Sequence, residues 1–535
     1  MKREIHSYFD LLSVSVDMIN KNRNIPEMLG QLIMPRLEIG MYETDVNYRS
    51  FINDLIAKKM VVGFCVFGGS IDTLPVILEE LQRISKKNLL PELFMSCDCE
   101  WGLPMRLHSG GTEFPHLMAL EQMNDQKGIK KVARAIGTEM SALGLHWNFA
   151  PVADINSNPK NPIINIRSFS GDPNKVAESA QSFSMGLEDA GIISTAKHFP
   201  GHGDTHIDSH RDLPSIDKSA EEFDLLELIP FRYLSERGIP TMMTGHIAAP
   251  KLAESLGANE AEKILPATIS SYLTRKLLRE RIGFEGVIVT DSLEMYGLQK
   301  VINDPGEIAV RAFAAGADIL LMPTDPVAAY NGLVSALAGD RISFQSIEES
   351  ISRIDKLRSK YIVNKPVNIK VQWLDHKEIA REAARNSIAL SGSVPKPFLP
   401  SSVIILATGS EKEKTQRDDL SHFFLSEFPG LNVHLLFNSS AAGEIDIGNK
   451  PLIITLHRPR GILTEENGRG SIHELAKEII DTLCRKNIHP IGLISFGDPY
   501  ITGEFSITKP DFTIKTFSDS NPSIQMVVQL LKNNI

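Results

Sequence analysis

Between about residue 30 and residue 365, short apolar runs rich in β-branched residues alternate with longer amphipathic ones, and this alternation constrains the fold more than any other feature. The apolar runs are VVGFCVF from 61, LFMSCD from 93, LHWNFAPVAD from 145, IISTAKH from 192, PTMMTGH from 240, GVIVTD from 286 and ADILLMP from 317; QLIMPRL near 31 makes eight. Between them lie helix-like segments such as KGIKKVARAIGTEMSALG, AESAQSFSMGLEDA, EEFDLLELIPFRYLSERG, SYLTRKLLRERIG and GEIAVRAFAAG, several closed by Gly, as helix C-termini prefer. Alternating strands and helices imply a parallel sheet, and eight repeats allow it to close, so the expected fold is α/β with a (β/α)8 TIM-like barrel.

In such barrels the carboxyl ends of the strands face the functional site. The polar residues that end the apolar runs are Asp98, Asp154, Lys197, His198, His246 and Asp291, which places several reactive groups at one mouth. After the helix-like HKEIAREAARNSIALS and the Pro-containing SGSVPKPFLPSS, a second unit carries SVIILATG, VHLLF, PLIITLH and PIGLISFG, and reads as a smaller α/β sandwich with an open sheet. The expected division is a catalytic barrel over 1–365, a helical linker over 366–400 and a C-terminal α/β domain over 401–535 whose plainest role is structural. The second unit lacks GxGxxG and GxxxxGK[ST], so no nucleotide site or other cofactor is expected.

Composition narrows the partners. With 56 basic and 66 acidic residues the chain carries a formal charge of −10 and has no basic block, which argues against nucleic acid or an anionic membrane surface. No run approaches ~20 consecutive apolar residues and no signal-peptide pattern is present at the start, so a cytoplasmic protein is expected, as a monomer or homodimer. The four cysteines, Cys65, Cys97, Cys99 and Cys484, are too few and too uneven for a disulfide framework and supply no complete zinc set.

The most informative stretch is KHFPGHGDTHIDSH, Lys197 to His210, with His198, His202, His206 and His210 at intervals of four. On a helix this spacing would stack imidazoles as metal ligands, but Pro200, Gly201 and Gly203 make a helix there untenable, and no metal is expected. As a loop, the stretch brings His210 two residues from Asp208. A neighbouring carboxylate orients an imidazole and raises its pKa, which suits it as a general acid; the plain alternative is a solvated His-rich loop. Asp291 ends the run GVIVTD, where it is either an N-cap or, paired with a His acid, a nucleophile. Retaining glycoside hydrolysis needs such a pair, one group to attack the anomeric carbon and one to protonate the departing oxygen.

KHFPGHGDT followed by DSH, then MTGHI, GFEGVIVTDSLEM and AVRAFAAGADILLMP, in this order, resembles the β-N-acetylglucosaminidases of glycoside hydrolase family 3. WNFAPVADINSNPKNPIINIRSFSGDP extends the resemblance upstream, and SFGDPY is similar to a segment of the family's second domain. The resemblance implies that Asp291 is the nucleophile, that His210 with Asp208 is the acid/base dyad, and that Asp98, Arg167, Lys197 and His198 bind sugar. For Asp98 and Arg167 an internal ion pair is the plain alternative.

Where many members read Asp, Gln, Glu, Gly, Gly, this chain reads Asp98, Cys99, Glu100, Trp101, Gly102, with Arg106 shortly after. Trp101 in place of glycine alters the rim of the pocket, either by stacking on a sugar face or by packing against the first-strand region. Trp101 and Arg106 join the candidate substrate-binding residues.

The implied activity is retaining, exo-acting release of terminal GlcNAc from muropeptides or chitin-type fragments, with phosphate an open alternative to water as acceptor. A β-glucosidase or β-xylosidase of the same family, a metal-dependent barrel hydrolase and a non-catalytic sugar-binding protein are the other readings. Lys197, Arg167 and the histidines are expected to offset the global acidity at the mouth, leaving room for a muramyl or peptide carboxylate.

Overall fold

The computed structural model describes residues 24–159, 161, 163–205, 213–362 and 370–394, and within the remainder 402–406, 420–436, 452–457, 492–497, 499–500 and 510–533. Each of the eight apolar runs contains a strand. The first is interrupted at Pro35 into β1 (Ile33–Met34) and β2 (Arg36–Glu38). The others are β3 (Gly63–Phe67), β4 (Phe94–Cys97), β5 (Trp147–Asn148), β6 (Thr195–Phe199), β7 (Thr241–Thr244), β8 (Val287–Thr290) and β9 (Leu320–Leu321).

All pairings among them are parallel: β2 to β3, β4 and β5 in turn, β6 to β7 and β8, and β1 to β9. Bridges from Trp147 to Ile193 and from Val289 to Ile319 join the remaining edges. The ring therefore closes as the alternation predicts. Every residue of β4, β7 and β8 is buried, because helices cover the outer face of a parallel sheet while side chains fill its inside.

Local signals set the helices. Gln126–Ala142, Pro173–Asp189, Pro305–Ala315 and Pro326–Ala338 each follow an aspartate whose carboxylate accepts from amides of the first turn, and in the last three proline takes the first helical position. Pro305–Ala315 stops at Gly316, whose φ of +119° few other residues adopt. EEFDLLELIPFRYLSERG, read from sequence as one helical segment, is two helices, Ala220–Leu225 and Leu228–Glu236. Pro230 explains the break, since its ring would clash with the carbonyl of Leu226, and Leu226 is the residue that leaves helical geometry.

Hydroxyls lock neighbouring strands inside the barrel. Trp147 Nε1 donates to Thr195 Oγ1 at 2.6 Å, Thr195 and Thr241 hydroxyls lie 2.7 Å apart, and Thr241 Oγ1 donates to the Ser194 carbonyl at 2.7 Å.

The second sheet orders its strands as β10 (Ala389–Gly392), β15 (Phe512–Lys515), β14 (Gly492–Phe496), β13 (Leu452–His457), β11 (Ser402–Leu406) and β12 (Asn432–Leu436). All neighbours are parallel except β10, an antiparallel edge. The stretch 366–400, expected as a helical linker, contributes helix Trp373–Ser387 and then β10 itself. Val403, Phe424, Ile453, Ile494, Phe496, Ile514 and Val527 form its separate apolar core. Among the described residues no helix is long and apolar enough to cross a membrane.

At the amino end of β9, opposite the mouth, Asp318 is fully buried. One oxygen accepts from Arg279 Nη2 and the Ile288 amide at 2.8 Å each, the other from Ser350 Oγ at 2.7 Å and Arg353 Nη2 at 2.8 Å. Asp318→Ala would leave two guanidinium groups without their carboxylate, and is expected to lower unfolding free energy by ~3 kcal/mol in denaturant titrations. A loss under about 0.5 kcal/mol, the range of ordinary surface substitutions, would show that the cluster does not tie the barrel floor together.

Candidate functional site

A cavity of about 900 Å³ opens at the carboxyl ends of the barrel strands. Of the six polar residues that end apolar runs in the sequence, Asp98, Lys197, His198 and Asp291 line it, with Lys197 and His198 inside β6, while Asp154 and His246 are buried outside its lining. Arg167, Arg106 and Trp101 also line it. Asp208 and His210 lie outside the described residues.

Two adjacent residues of one strand, Lys197 and His198, both reach the cavity, although side chains along a strand normally alternate. The pairing explains this. Ala196 sits opposite Met242 and Phe199 opposite Thr244, three steps on β6 against two on β7, so β6 carries a bulge that re-aims one side chain.

Ion pairs organise the floor. Asp98 accepts from Lys197 Nζ at 2.9 Å through one oxygen and from Arg106 Nη2 at 2.6 Å through the other. Glu100, fully buried, takes Arg167 in a bidentate grip at 2.7 and 2.9 Å and also lies 2.8 Å from Lys197 Nζ. Burial pushes the Asp98 carboxyl up, but Lys197 and Arg106 outweigh it and hold the group far below the usual carboxylate range. Glu100 is likewise driven up by burial and down further by Arg167 and Lys197. Burial alone would favour a neutral Lys197; Asp98 and Glu100 reverse that and raise its pKa. The ion-pair alternative for Asp98 and Arg167 is thus present, in side chains that also face the cavity.

His198 is oriented from behind. Its Nδ1 is 2.6 Å from Asp154 Oδ2, its amide donates to Asp154 Oδ1 at 3.1 Å, and the His202 amide donates to that same oxygen at 2.7 Å. Burial raises the Asp154 carboxyl, and the His198 imidazole more than offsets it, leaving an ionised acceptor that holds the proton on Nδ1. His202 is different: burial, reinforced by His198, brings it down to about 4, so it is neutral near pH 7. Gly203 lies so close to Ile155 that an added Cβ would sit 1.5 Å from that carbonyl oxygen, which explains a glycine at this point of the loop.

Asp291 follows β8 directly, its amide donating to the Thr244 carbonyl at 2.9 Å and its Oδ1 accepting from the Ser292 amide at 2.8 Å. His246 Nε2 lies 2.7 Å from the Ser292 carbonyl, which has no proton to give, so the ring donates and braces the turn after Asp291. Burial raises the Asp291 carboxyl, but His198, His246, the Ser292 amide and Lys197 together keep it below the ordinary range. The result is an ionised carboxylate on the wall of a cavity lined with charged and polar side chains.

Among the described residues, the expected excess of positive charge at the mouth is not present. Arg36, Arg106, Arg167 and Lys197 line the cavity with Asp98, Glu100, Asp291, Glu294 and Asp519. Each of the four cations is already engaged by a carboxylate, Arg36 by Glu38 and Glu294 at 2.6 and 2.7 Å. Lys197 and Arg167 therefore neutralise buried acids rather than offering free charge to a ligand carboxylate.

Sequence reasoning missed Glu100, Arg36, His116 and Asp519. Glu100 had a signal, two residues beyond a strand-end aspartate; Asp519 had none, because it comes from the second sheet. Trp101 packs its ring on His116, with centroids 4.4 Å apart.

The chain is 36% identical over 333 residues to β-hexosaminidase A of Pseudoalteromonas piscicida, covering 58% of this chain and 55% of that protein. It is 32% identical over 313 residues to a β-N-acetylglucosaminidase/β-glucosidase of Cellulomonas fimi, covering 57% and 55%. The chain thus spans about half the length of these two relatives. A glycoside hydrolase family 3 β-N-acetylglucosaminidase structure from Paenibacillus sp. str. FPU-7 superposes with a TM-score of 0.80 at 28% identity, over 96% of this chain and 97% of that one. The glycosyl hydrolase family 3 N-terminal domain matches residues 24–357, well over half of the sequence, and the chain belongs to that family.

Proposed function

We propose that the chain is a retaining, exo-acting β-N-acetylglucosaminidase that releases terminal GlcNAc from muropeptides or chitin-type oligosaccharides in the cytoplasm. The observation that carries the reading is Asp291, an ionised carboxylate at the end of β8 on the cavity wall, beside the Asp98, Arg167, Lys197 and His198 set. The names of the relatives support the sugar.

In the first half-reaction an Asp291 oxygen attacks the anomeric carbon, the glycosidic C–O bond breaks, and the leaving oxygen takes its electron pair and a proton from His210, oriented by Asp208. In the second, water attacks the same carbon, gives its proton to His210, and the Asp291 ester is broken. Charged groups of fixed orientation grip sugar hydroxyls and strengthen as charge develops. Asp98 and Arg167 are assigned that role in this reading, supported by their position in the cavity lining, with Glu100 bonded to Arg167 and Lys197.

Asp291→Ala is expected to abolish release from an aryl β-GlcNAc, and a 2-fluoro sugar should label Asp291 covalently. His210→Gln is expected to slow an unactivated disaccharide by ~10²- to 10⁴-fold while sparing substrates with good leaving groups. Full activity of this variant on the disaccharide would remove the dyad assignment. Faster turnover of an aryl β-glucoside than of the aryl β-GlcNAc would change the sugar and keep the mechanism, and sugar 1-phosphate among the products would identify phosphate as acceptor.

The nucleophile works ionised, so activity is lost as pH falls through its pKa. Because that pKa lies below the ordinary aspartate value, kcat/KM is expected to hold its plateau down to about pH 4. An acid limb centred near pH 6 would assign it to another group.

A further inference from the structure

Trp101 takes a position where the resembled pattern has glycine, and its indole lines the cavity. One face of the ring lies on the His116 imidazole, at 4.4 Å between centroids and 35° between planes. His116 is 3% exposed and is held from outside the barrel. Its amide donates to Ser518 Oγ at 3.2 Å, its Nδ1 lies 3.0 Å from the same hydroxyl, and Asp519 Oδ1 is 3.5 Å from Nδ1. Ser518 and Asp519 belong to the turn after β15 of the second sheet.

That turn is itself densely hydrogen-bonded. Ser518 Oγ donates to Ser520 Oγ at 3.0 Å, Ser520 and Ser523 hydroxyls are 3.0 Å apart, and Ser518, Asp519, Ser520 and Ser523 are all buried. The Asn521 amide adds a bond to Glu113 Oε2 at 3.0 Å, three residues before His116. Within the barrel the Phe114 amide donates to the Trp101 carbonyl at 2.9 Å, so Trp101 and the 113–116 segment are one unit. Asp519 reaches the cavity wall beside them.

We propose that the turn at 516–520 is a substrate-specificity element: through Ser518, Asp519 and His116 it sets the tilt of Trp101, whose cavity face is a platform for the C–H face of a pyranose with equatorial substituents. Trp101 is then a binding residue and the other three are positioning residues. An indole is a broad apolar plate, and a sugar ring whose hydroxyls all point outward offers it a matching apolar face. A plate of this kind contributes only at a set angle, and the cross-sheet clamp supplies the angle. The second sheet thereby takes part in substrate recognition, beyond the structural role its sequence suggests.

The KM arm of the test rests on the glycosidase reading; the spectroscopic arm does not. Trp101→Ala is expected to raise KM for an aryl β-GlcNAc about tenfold, the effect of one aromatic stacking contact, with kcat changed less than about twofold. Asp519→Asn and Ser518→Ala are each expected to raise KM roughly three- to tenfold, Ser518→Thr to restore it, and the Trp101→Ala/Asp519→Asn double variant to be no worse than Trp101→Ala alone.

In parallel, 5-fluorotryptophan labels the three tryptophans, and Trp101→Phe assigns the Trp101 fluorine resonance. GlcNAc is expected to shift that resonance, and Asp519→Asn to shift it without any sugar. An unmoved Trp101 resonance in Asp519→Asn and Ser518→Ala overturns the clamp, and an unmoved one on saturation with GlcNAc overturns the platform. Strictly additive KM effects in the double variant also overturn the coupling. Absence of turnover by the unaltered enzyme on every aryl glycoside, with the resonance shifts intact, would instead sink the function reading and leave the clamp standing.

Discussion

A fully buried glutamate gripping a guanidinium and an ammonium at once is the interaction on which the mouth of this barrel depends. Glu100 holds Arg167 and Lys197, Lys197 also holds Asp98, and Asp98 holds Arg106. Taking such charges out of water costs several kcal/mol per ion unless each finds a partner in good geometry. Here each one does, and the consequence is order. Five charged side chains brace one another along the cavity lining.

The same arrangement separates two electrostatic roles. Lys197 and Arg167 spend their charge on buried acids, so the cavity is charged in detail and nearly balanced in sum. His202, brought down to about 4 by its burial, adds no positive charge near neutrality. Asp291 stays ionised because two imidazoles, a backbone amide and the Lys197 ammonium act on it, not because the cavity as a whole is positive. Recognition of a neutral ligand through fixed dipoles and ion pairs suits this balance better than capture of an anion by long-range attraction.

The barrel was legible in the sequence because its signal is local and repeated eight times. Aspartate followed by proline started helices, β-branched runs made strands, and a proline at 230 accounts for the division of the stretch from Glu221 into two helices. The cavity was legible where its residues end apolar runs of the sequence, as with Asp98, Lys197 and Asp291. It was not legible where a partner comes from far along the chain: Arg36 meets Glu294 across 258 residues, and His116 meets Ser518 across 402. Glu100 was visible as a neighbour of Asp98, but its bidentate hold on Arg167 depends on the chain folding back from a segment 67 residues away. Periodicity carries no information about such meetings.

The bulge in β6 lies one residue beyond the hydroxyl chain from Trp147 through Thr195 to Thr241. A bulge is an extra residue with no partner of its own, and in an isolated pair of strands it can migrate along the ladder. In β6 the hydroxyl chain pins the register immediately upstream, so the surplus residue stays where it is. The distance in residues from Thr195 to Phe199 is therefore a fixed dimension of the protein. The helices and turns between strands can lengthen or shorten in the course of divergence, while an insertion or deletion within those five positions would turn Lys197 or His198 out of the cavity.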